Sequence, residues 1–194
     1  MDIAAMLLYL TVSSFTPGPN NLMSLYLGAN YGLRASRRFL YGSTTGFAVK
    51  ALLCGFLNVA LAQAVPAAVA YLKWLGAAYM LFLAYSMLRA GFRAEAGGAQ
   101  GGEATFAAGI LLQVMNVKSW IGCLSVYSVY VVAHTTAAGA VLAVALVFTA
   151  LITASAFCWM SFGSVFQRAY RAHRRGFSVV CAASLVVCAV TALR

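Results

Sequence analysis

Two lysines occur inside long apolar stretches of the sequence, where a charged side chain is unusual. Lys50 and Lys118 each stand near the middle of such a stretch, and a charge at the centre of a membrane helix costs roughly 2.5 to 3.5 kcal/mol on insertion scales. The three acidic residues, Asp2, Glu95 and Glu103, fall at an end of the chain or in loops. A ligand with a carboxylate would supply the missing negative charge. The alternative is that both lysines are neutral in the core or reach water.

The surroundings of Lys50 favour an inward-facing side chain. Gly42 and Gly46 precede it at steps of four residues, which places all three on one face of a helix. Glycines on such a face let a neighbouring helix approach closely. We therefore expect Lys50 to face the interior of a helix bundle.

A proline-rich stretch at residues 16–21, with the sequence TPGPNN, interrupts the first apolar run. The run before it, residues 3–15, is too short to cross a membrane, which takes roughly 20 residues. Residues 22–31 supply the missing length. Because the prolines lack backbone donors and the glycine tolerates unusual dihedrals, the helix must break here. In transporters such breaks commonly form the substrate site; the alternative is a kink that matters only for packing.

A second polar interruption, residues 116–119, lies in the fourth apolar run. At both breaks, exposed carbonyls and asparagine side chains could hold an α-amino group, while the lysines could hold the carboxylate of the same ligand. No acidic group is available for a cationic side chain, which favours small neutral amino acids. The predicted substrate-binding residues are Pro17, Gly18, Pro19, Asn20, Asn21, Lys50, Asn116 and Lys118.

The composition excludes an ordinary soluble domain. Hydrophobic residues make up 63% and charged residues 8% of the 194 residues, and the mean hydropathy is +0.89. The net charge of +10 does not indicate a nucleic-acid partner, because no soluble segment is long enough to present a basic face. The partner that the composition predicts is the lipid bilayer.

The apolar runs predict an all-α, polytopic membrane protein with six transmembrane helices, of which spans one and four are broken. The predicted spans are residues 3–31, 39–61, 67–88, 105–132, 137–166 and 177–193. Residues 32–38 are predicted as a loop, and Pro66 is predicted to mark the turn after the second span.

The spans fall into two halves of one transporter domain, residues 1–91 and 105–194, joined by a glycine-rich cytoplasmic linker at residues 92–104. An odd number of crossings in each half makes the second half run inverted relative to the first. Breaks at corresponding positions in two inverted three-helix repeats indicate a substrate site near the midplane of the bilayer.

The basic residues predict the orientation. Nine arginines lie in the first, third and fifth connections, whereas the opposite side has Lys73 and Arg194. Since short cytoplasmic loops carry the excess of lysine and arginine, both termini are predicted to lie outside.

Several other functions find little support in the sequence. The five cysteines form no C-x-x-C pair and have no neighbouring histidines, so neither a metal site nor a cofactor is predicted. An ion or metal exporter is the alternative within transport, although few ligating groups lie in the spans. A membrane enzyme would need a His/Asp or Cys/His pair at membrane depth, which the sequence lacks.

Coupling of transport to protons stays open. The two histidines, His134 and His173, fall at loops, and no acidic residue lies in a span. Proton coupling would therefore have to run through a lysine, or the protein is a facilitator.

These motifs resemble those of the LysE/RhtB superfamily of amino-acid exporters. The family signature T-P-G-P-N stands at residues 16–20, the tract at residues 74–79 matches the third span, and the Asn-Pro-Lys element is similar to Asn116-Val117-Lys118. The chain is most similar to the cysteine/O-acetylserine exporter subgroup, through Asn-Val-Lys and the tracts at residues 157–159 and 166–168.

The resemblance implies an exporter of amino acids or their derivatives in the bacterial inner membrane, driven by the proton-motive force. It also allows a homodimer. Two residues depart from the family pattern. Val117 replaces the usual proline, which predicts a milder break in the fourth span, and Lys50 replaces an apolar residue, so its role rests on the physical reasoning alone.

Overall fold

The computed structural model describes residues 2–56, 58–92, 104–135, 137–167 and 173–193. Regular structure within these ranges is helical, as the sequence predicted. The helices are α1 (Ile3–Phe15), α2 (Pro19–Phe56), α3 (Asn58–Phe92), α4 (Phe106–Met115), α5 (Val117–Val126), α6 (Ala138–Val165) and α7 (Arg174–Leu193), with a π-helical stretch at Tyr127–Val132 after α5.

The first apolar run is broken at the proline-rich stretch. Asp2 caps the start of α1 by accepting a hydrogen bond from the backbone N–H of Ala5. Helix α1 ends at Phe15 and α2 begins at Pro19, where a proline costs nothing because the first N–H of a helix has no partner. The break is therefore shorter than residues 16–21, and Asn20 and Asn21 lie in the first turn of α2.

The fourth apolar run is broken at a single residue. Asn116, with φ of −82° and ψ of 89°, separates α4 from α5, and the two segments meet at an angle of 65°. Val117 takes the first position of α5. The bend is thus large, although Val117 stands in place of the family's proline and keeps its backbone N–H.

Length and hydropathy identify two candidate membrane spans among the described residues. Ala138–Val165 is long and apolar enough to cross a membrane by itself. Phe106–Met115 and Val117–Val132 meet this criterion only together, as one span with a bend. These helices match the predicted fifth and fourth spans. Two shorter apolar helices, Ile3–Phe15 and Arg175–Thr191, fall within the predicted first and sixth spans.

Two predicted connections are wrong. The loop predicted at residues 32–38 reduces to Gly32, whose φ of 77° is readily adopted only by glycine; residues 33–38, with their arginines, are helical. Pro66 lies inside α3 rather than at a turn, since prolines are tolerated within membrane helices when neighbouring groups satisfy the freed backbone. The predicted linker lies mostly outside the described residues.

The polar residues of the core lie between two apolar clusters. Helix α2 packs mainly along α6 and α4, and α3 packs along α7. Phe39 and Met160 belong to one cluster, and Phe47 and Phe148 belong to the other. On α2, buried Ser43 lies one helical turn from Phe39 and one from Phe47. A polar layer therefore crosses the molecule where the two broken helices meet.

Glycines bring helix backbones into direct contact on one side of this layer. A Cβ added at Gly28 would overlap the carbonyl oxygen of Met160 on α6, and one added at Gly42 would overlap the carbonyl oxygen of Phe106 on α4. The expected closeness around Gly42 is thus confirmed.

We expect Gly42→Ala to destabilise the protein by roughly 1 to 3 kcal/mol, because overpacking a tight contact forces the backbones apart. The measurement is the thermal unfolding midpoint of the purified protein in detergent. Gly139→Ala is the matched control, since nothing lies within 4 Å of a Cβ added at Gly139. Equal midpoints for the two variants would contradict the proposed close contact.

Candidate functional site

The carbonyl groups freed at the end of α1 are satisfied by side chains. Ser14 O accepts hydrogen bonds from Asn21 Nδ2 at 2.8 Å and from Ser155 Oγ, on α6, at 2.9 Å. Thr16 O accepts from Asn21 Nδ2 and from Lys118 Nζ, both at 3.1 Å. Because Lys118 belongs to α5, its hydrogen bond joins the first break directly to the second.

The freed groups at the end of α4 are satisfied in a similar way. Gln113 O accepts from Lys50 Nζ, and Asn116 O accepts from Ser119 Oγ at 2.8 Å. The indole N–H of Trp120 donates to a further carbonyl of this last turn, that of Val114, at 2.9 Å. Each break is thus stabilised by side chains from the other half of the chain or from the helix that follows it.

Lys50 is directed toward protein groups. Its side chain is 2% exposed, and its Nζ donates to Gln113 O and to Ser119 Oγ. The same atom lies 4.9 Å from the centroid of the Trp120 ring, which adds a cation–π contact. The expectation that Lys50 faces the bundle is confirmed, but Lys50 does not line either of the two cavities at the breaks.

The side chain of Lys118 faces the two cavities at the breaks. Its side chain is exposed, and it lines both cavities. One of its three N–H donors is used by Thr16 O, so the ammonium keeps donors for a ligand. Gly18 lies against this side chain: a Cβ added there would be 3.3 Å from both Cδ and Nζ of Lys118.

Two cavities meet at the breaks. The narrow cavity, of about 30 Å³, has a polar wall from the end of α1, the start of α2 and the α4–α5 break. The wide cavity, of about 620 Å³, extends between α1, α3, α5 and α7 and is lined by Tyr9, Ser13, Pro17, Gly18, Pro19, Met80, Asn116, Val117, Lys118, Ile121, Gly122, Cys188 and Thr191. Gly18, Asn116 and Lys118 line both cavities and so mark their junction.

Two buried polar atoms of residues that line the narrow cavity have no hydrogen-bond partner among the described residues. They are Asn20 Nδ2, a donor, and Asn116 Oδ1, an acceptor. Leaving a buried polar group unpaired costs about 1 to 3 kcal/mol. A ligand that offers both an acceptor and a donor would remove that cost.

Most of the predicted residues come together at this junction. Pro17, Gly18 and Pro19 line the wide cavity, and Asn20, Asn21, Asn116 and Lys118 line the narrow one. Asn21 uses its Nδ2 to close the first break, and Lys50 lies outside both cavities.

Further polar side chains connect these residues and were not predicted from the sequence, namely Ser14, Ser43, Gln113 and Ser155, while Ser119 belongs to the predicted interruption at residues 116–119. A signal existed for one of them. Ser43, Gly46 and Lys50 follow one another at steps of three and four residues, which puts them on one helix face.

Two interrupted helices that meet at a cavity, with freed carbonyls and unpaired polar atoms around it, are typical of membrane transporters. The chain belongs to the LysE type translocator family, whose model matches residues 11–194. This membership confirms the resemblance drawn from residues 16–20 and 116–118, and it makes the chain a membrane protein.

The names of curated relatives agree with the resemblance to the cysteine/O-acetylserine exporter subgroup. The cysteine/O-acetylserine efflux protein of Escherichia coli (strain K12) is 35% identical over 188 residues, which cover 97% of this chain and 95% of the relative. Its counterpart in Shigella sonnei (strain Ss046) is also 35% identical with the same coverage, and that of Escherichia coli O139:H28 is 34% identical. No solved structure matches the chain.

Proposed function

We propose that the protein exports small neutral amino acids or their derivatives across the bacterial inner membrane, as a secondary transporter that alternates access around the two breaks. One observation carries this proposal. Lys118, Asn20 and Asn116 line the same narrow cavity, and among the described residues the donor Asn20 Nδ2 and the acceptor Asn116 Oδ1 are unpaired.

These three groups complement an amino-acid zwitterion. The carboxylate would bind Lys118 and Asn20, since a charged donor and a neutral donor both suit an anion. The α-ammonium would donate to Asn116 Oδ1. The bound carboxylate would also neutralise Lys118, which has no acidic partner within the apolar runs.

The wide cavity would take the side chain of the substrate. Its wall combines Tyr9, Met80 and Ile121 with the smaller polar groups of Cys188 and Thr191, and it carries no carboxylate for a cationic side chain. The names of the curated relatives make cysteine and O-acetylserine the first candidates. Homoserine, threonine and leucine have side chains of comparable size and are further candidate substrates.

Two equivalent contacts support the inverted repeat. Lys50 is the eighteenth residue after Gly32, where the backbone of α2 departs from helical geometry, and Ser155 is the eighteenth after Ala137, the N-cap of α6. Lys50 donates to the last turn of α4, and Ser155 donates to the last turn of α1. In each half, the unbroken second span thus secures the broken first span of the other half. Six spans with both termini outside fit this arrangement and the distribution of arginines.

The test is counterflow in proteoliposomes, in which unlabelled amino acid inside drives the entry of labelled amino acid without an ion gradient. We expect counterflow of at least one of cysteine, O-acetylserine, homoserine, threonine and leucine, and none of lysine or arginine. Absence of counterflow for all five, with correctly inserted protein, would contradict the proposal. Repeating the assay as net export with an imposed pH gradient separates proton coupling from facilitated transport, which would be indifferent to the gradient.

A further inference from the structure

The hydrogen bonds of Lys50 have a fixed direction. An ammonium group only donates, so Ser119 Oγ accepts from Lys50 and must use its own hydrogen elsewhere. This single hydrogen has two acceptors within reach, Asn116 O at 2.8 Å and Gln113 Oε1 at 3.4 Å, so the bond to Asn116 is the stronger and the bond to Gln113 the weaker of the two. Asn116 is the residue of the break, and Gln113 lies in the last turn of α4.

The direction continues through Gln113. Since Oε1 of its amide is on the side of Ser119, Nε2 is left to donate to Ser43 Oγ at 2.9 Å. Ser43 then donates its hydrogen to Asn20 Oδ1 at 2.6 Å. The amide oxygen of Asn20 is therefore occupied, and its Nδ2 is left unpaired among the described residues, on a side chain that lines the narrow cavity.

We infer that Lys50 is a positioning residue: through Ser119, Gln113 and Ser43 it holds the amide of Asn20 so that an N–H donor, and not an oxygen, meets the substrate carboxylate. This inference rests on the proposed function. We call these five residues the donor relay.

The donor relay is well placed to fix an amide. All five side chains are buried, with exposures of 9% or less, so bulk water has little access to their hydrogen bonds. Hydrogen bonds that point the same way polarise one another in such surroundings. If the relay were cut, the Asn20 amide could turn over and present its oxygen to the carboxylate, which would repel it.

The donor relay also gives Lys50 a role although it lines neither cavity. Its ammonium caps the end of α4 by donating to Gln113 O, where the negative end of the helix dipole favours a cation. The relay then runs from α2 through α5 and α4 and back to α2. It therefore couples the geometry of the second break to the binding residue beside the first.

The experiment measures counterflow kinetics of Ser43→Ala. We expect KM for the transported amino acid to rise about tenfold with little change in maximal rate, because one correctly oriented hydrogen bond to the carboxylate is lost. Ser43→Thr keeps the hydroxyl and should restore KM. Ser184→Ala is the control, because the Ser184 hydroxyl donates to Val180 O of its own helix at 2.9 Å.

Lys50→Met provides the second variant. We expect a similar rise in KM, and we expect the double variant Lys50→Met/Ser43→Ala to behave like the worse of the single variants, since residues of one network are not additive. Lys50→Met should still prefer a free carboxylate over the corresponding amide, because Lys118 is intact.

Three results would overturn the inference: an unchanged KM for Ser43→Ala, effects of the two substitutions that multiply, or loss of the carboxylate preference in Lys50→Met, which would make Lys50 a ligand. If Lys50→Met does not insert, KM of Ser43→Ala and its rescue by Ser43→Thr decide the matter. Failure of the proposed function is distinguishable, because the wild-type protein would then show no counterflow.

Discussion

Replacing Lys118 by alanine should abolish export of amino acids that carry a free carboxylate, while the protein still inserts into the membrane. Lys118 is a cation that lines both cavities, and within the described residues it donates a hydrogen bond to Thr16 O alone. Removing one member of a close charge pair costs about 2 to 5 kcal/mol, which lowers the transport efficiency roughly 30-fold to several thousand-fold.

The measurement is counterflow per amount of inserted protein. Arg89→Ala is the matched control, because it removes a cation whose side chain is exposed near the end of α3. We expect the control to transport like the wild type. Normal export by Lys118→Ala would contradict the carboxylate role.

Replacing Gly18 by leucine should also stop transport. A Cβ at Gly18 already comes within 3.3 Å of the Lys118 side chain. That contact can be relieved for alanine, because the far end of a lysine is flexible, but a leucine would displace the ammonium and fill the junction of the two cavities. We therefore expect a partial loss for Gly18→Ala and a loss comparable to that of Lys118→Ala for Gly18→Leu.

The measurement is again counterflow, together with the amount of protein in the membrane fraction. Gly139→Leu is the control, because open space surrounds Gly139. Full activity of Gly18→Leu would mean that the proline-rich stretch is only a kink, the alternative that the sequence left open.

The two breaks could be predicted because their causes are local. Pro17 and Pro19 lack the N–H that an uninterrupted helix needs, and this is readable from the sequence without knowledge of any partner. The polar residues at 116–119 predicted the second break for a related reason. Polar groups inside an apolar run need hydrogen-bond partners nearby, which an uninterrupted helix in lipid does not provide.

The partners of Lys50 could not be predicted. Gln113 and Ser119 lie 63 and 69 residues away along the chain, and only the packing of α2 against α4 and α5 brings them together. The sequence showed that a buried cation needs compensation, and a substrate carboxylate was the simplest source. A helix end and a neighbouring hydroxyl supply that compensation in the structure.

The wrong connections have a common cause. The sequence predicts a loop at residues 32–38 that carries Arg34, Arg37 and Arg38, yet a long charged side chain can reach water from a helix as well. Pro66 was assigned to a turn because prolines usually end helices in soluble proteins. Both expectations come from helices in water: the first concerns the hydration of charged side chains, and the second concerns a missing backbone N–H.

The most direct test of a carboxylate site at the two breaks compares counterflow of an amino acid with that of its carboxamide, which has the same side chain and α-amino group. We expect the wild-type protein to prefer the carboxylate strongly, and we expect Lys118→Ala to reduce the preference to nearly equal rates. A preference in Lys118→Ala as strong as that of the wild type would contradict the binding of the substrate carboxylate by Lys118.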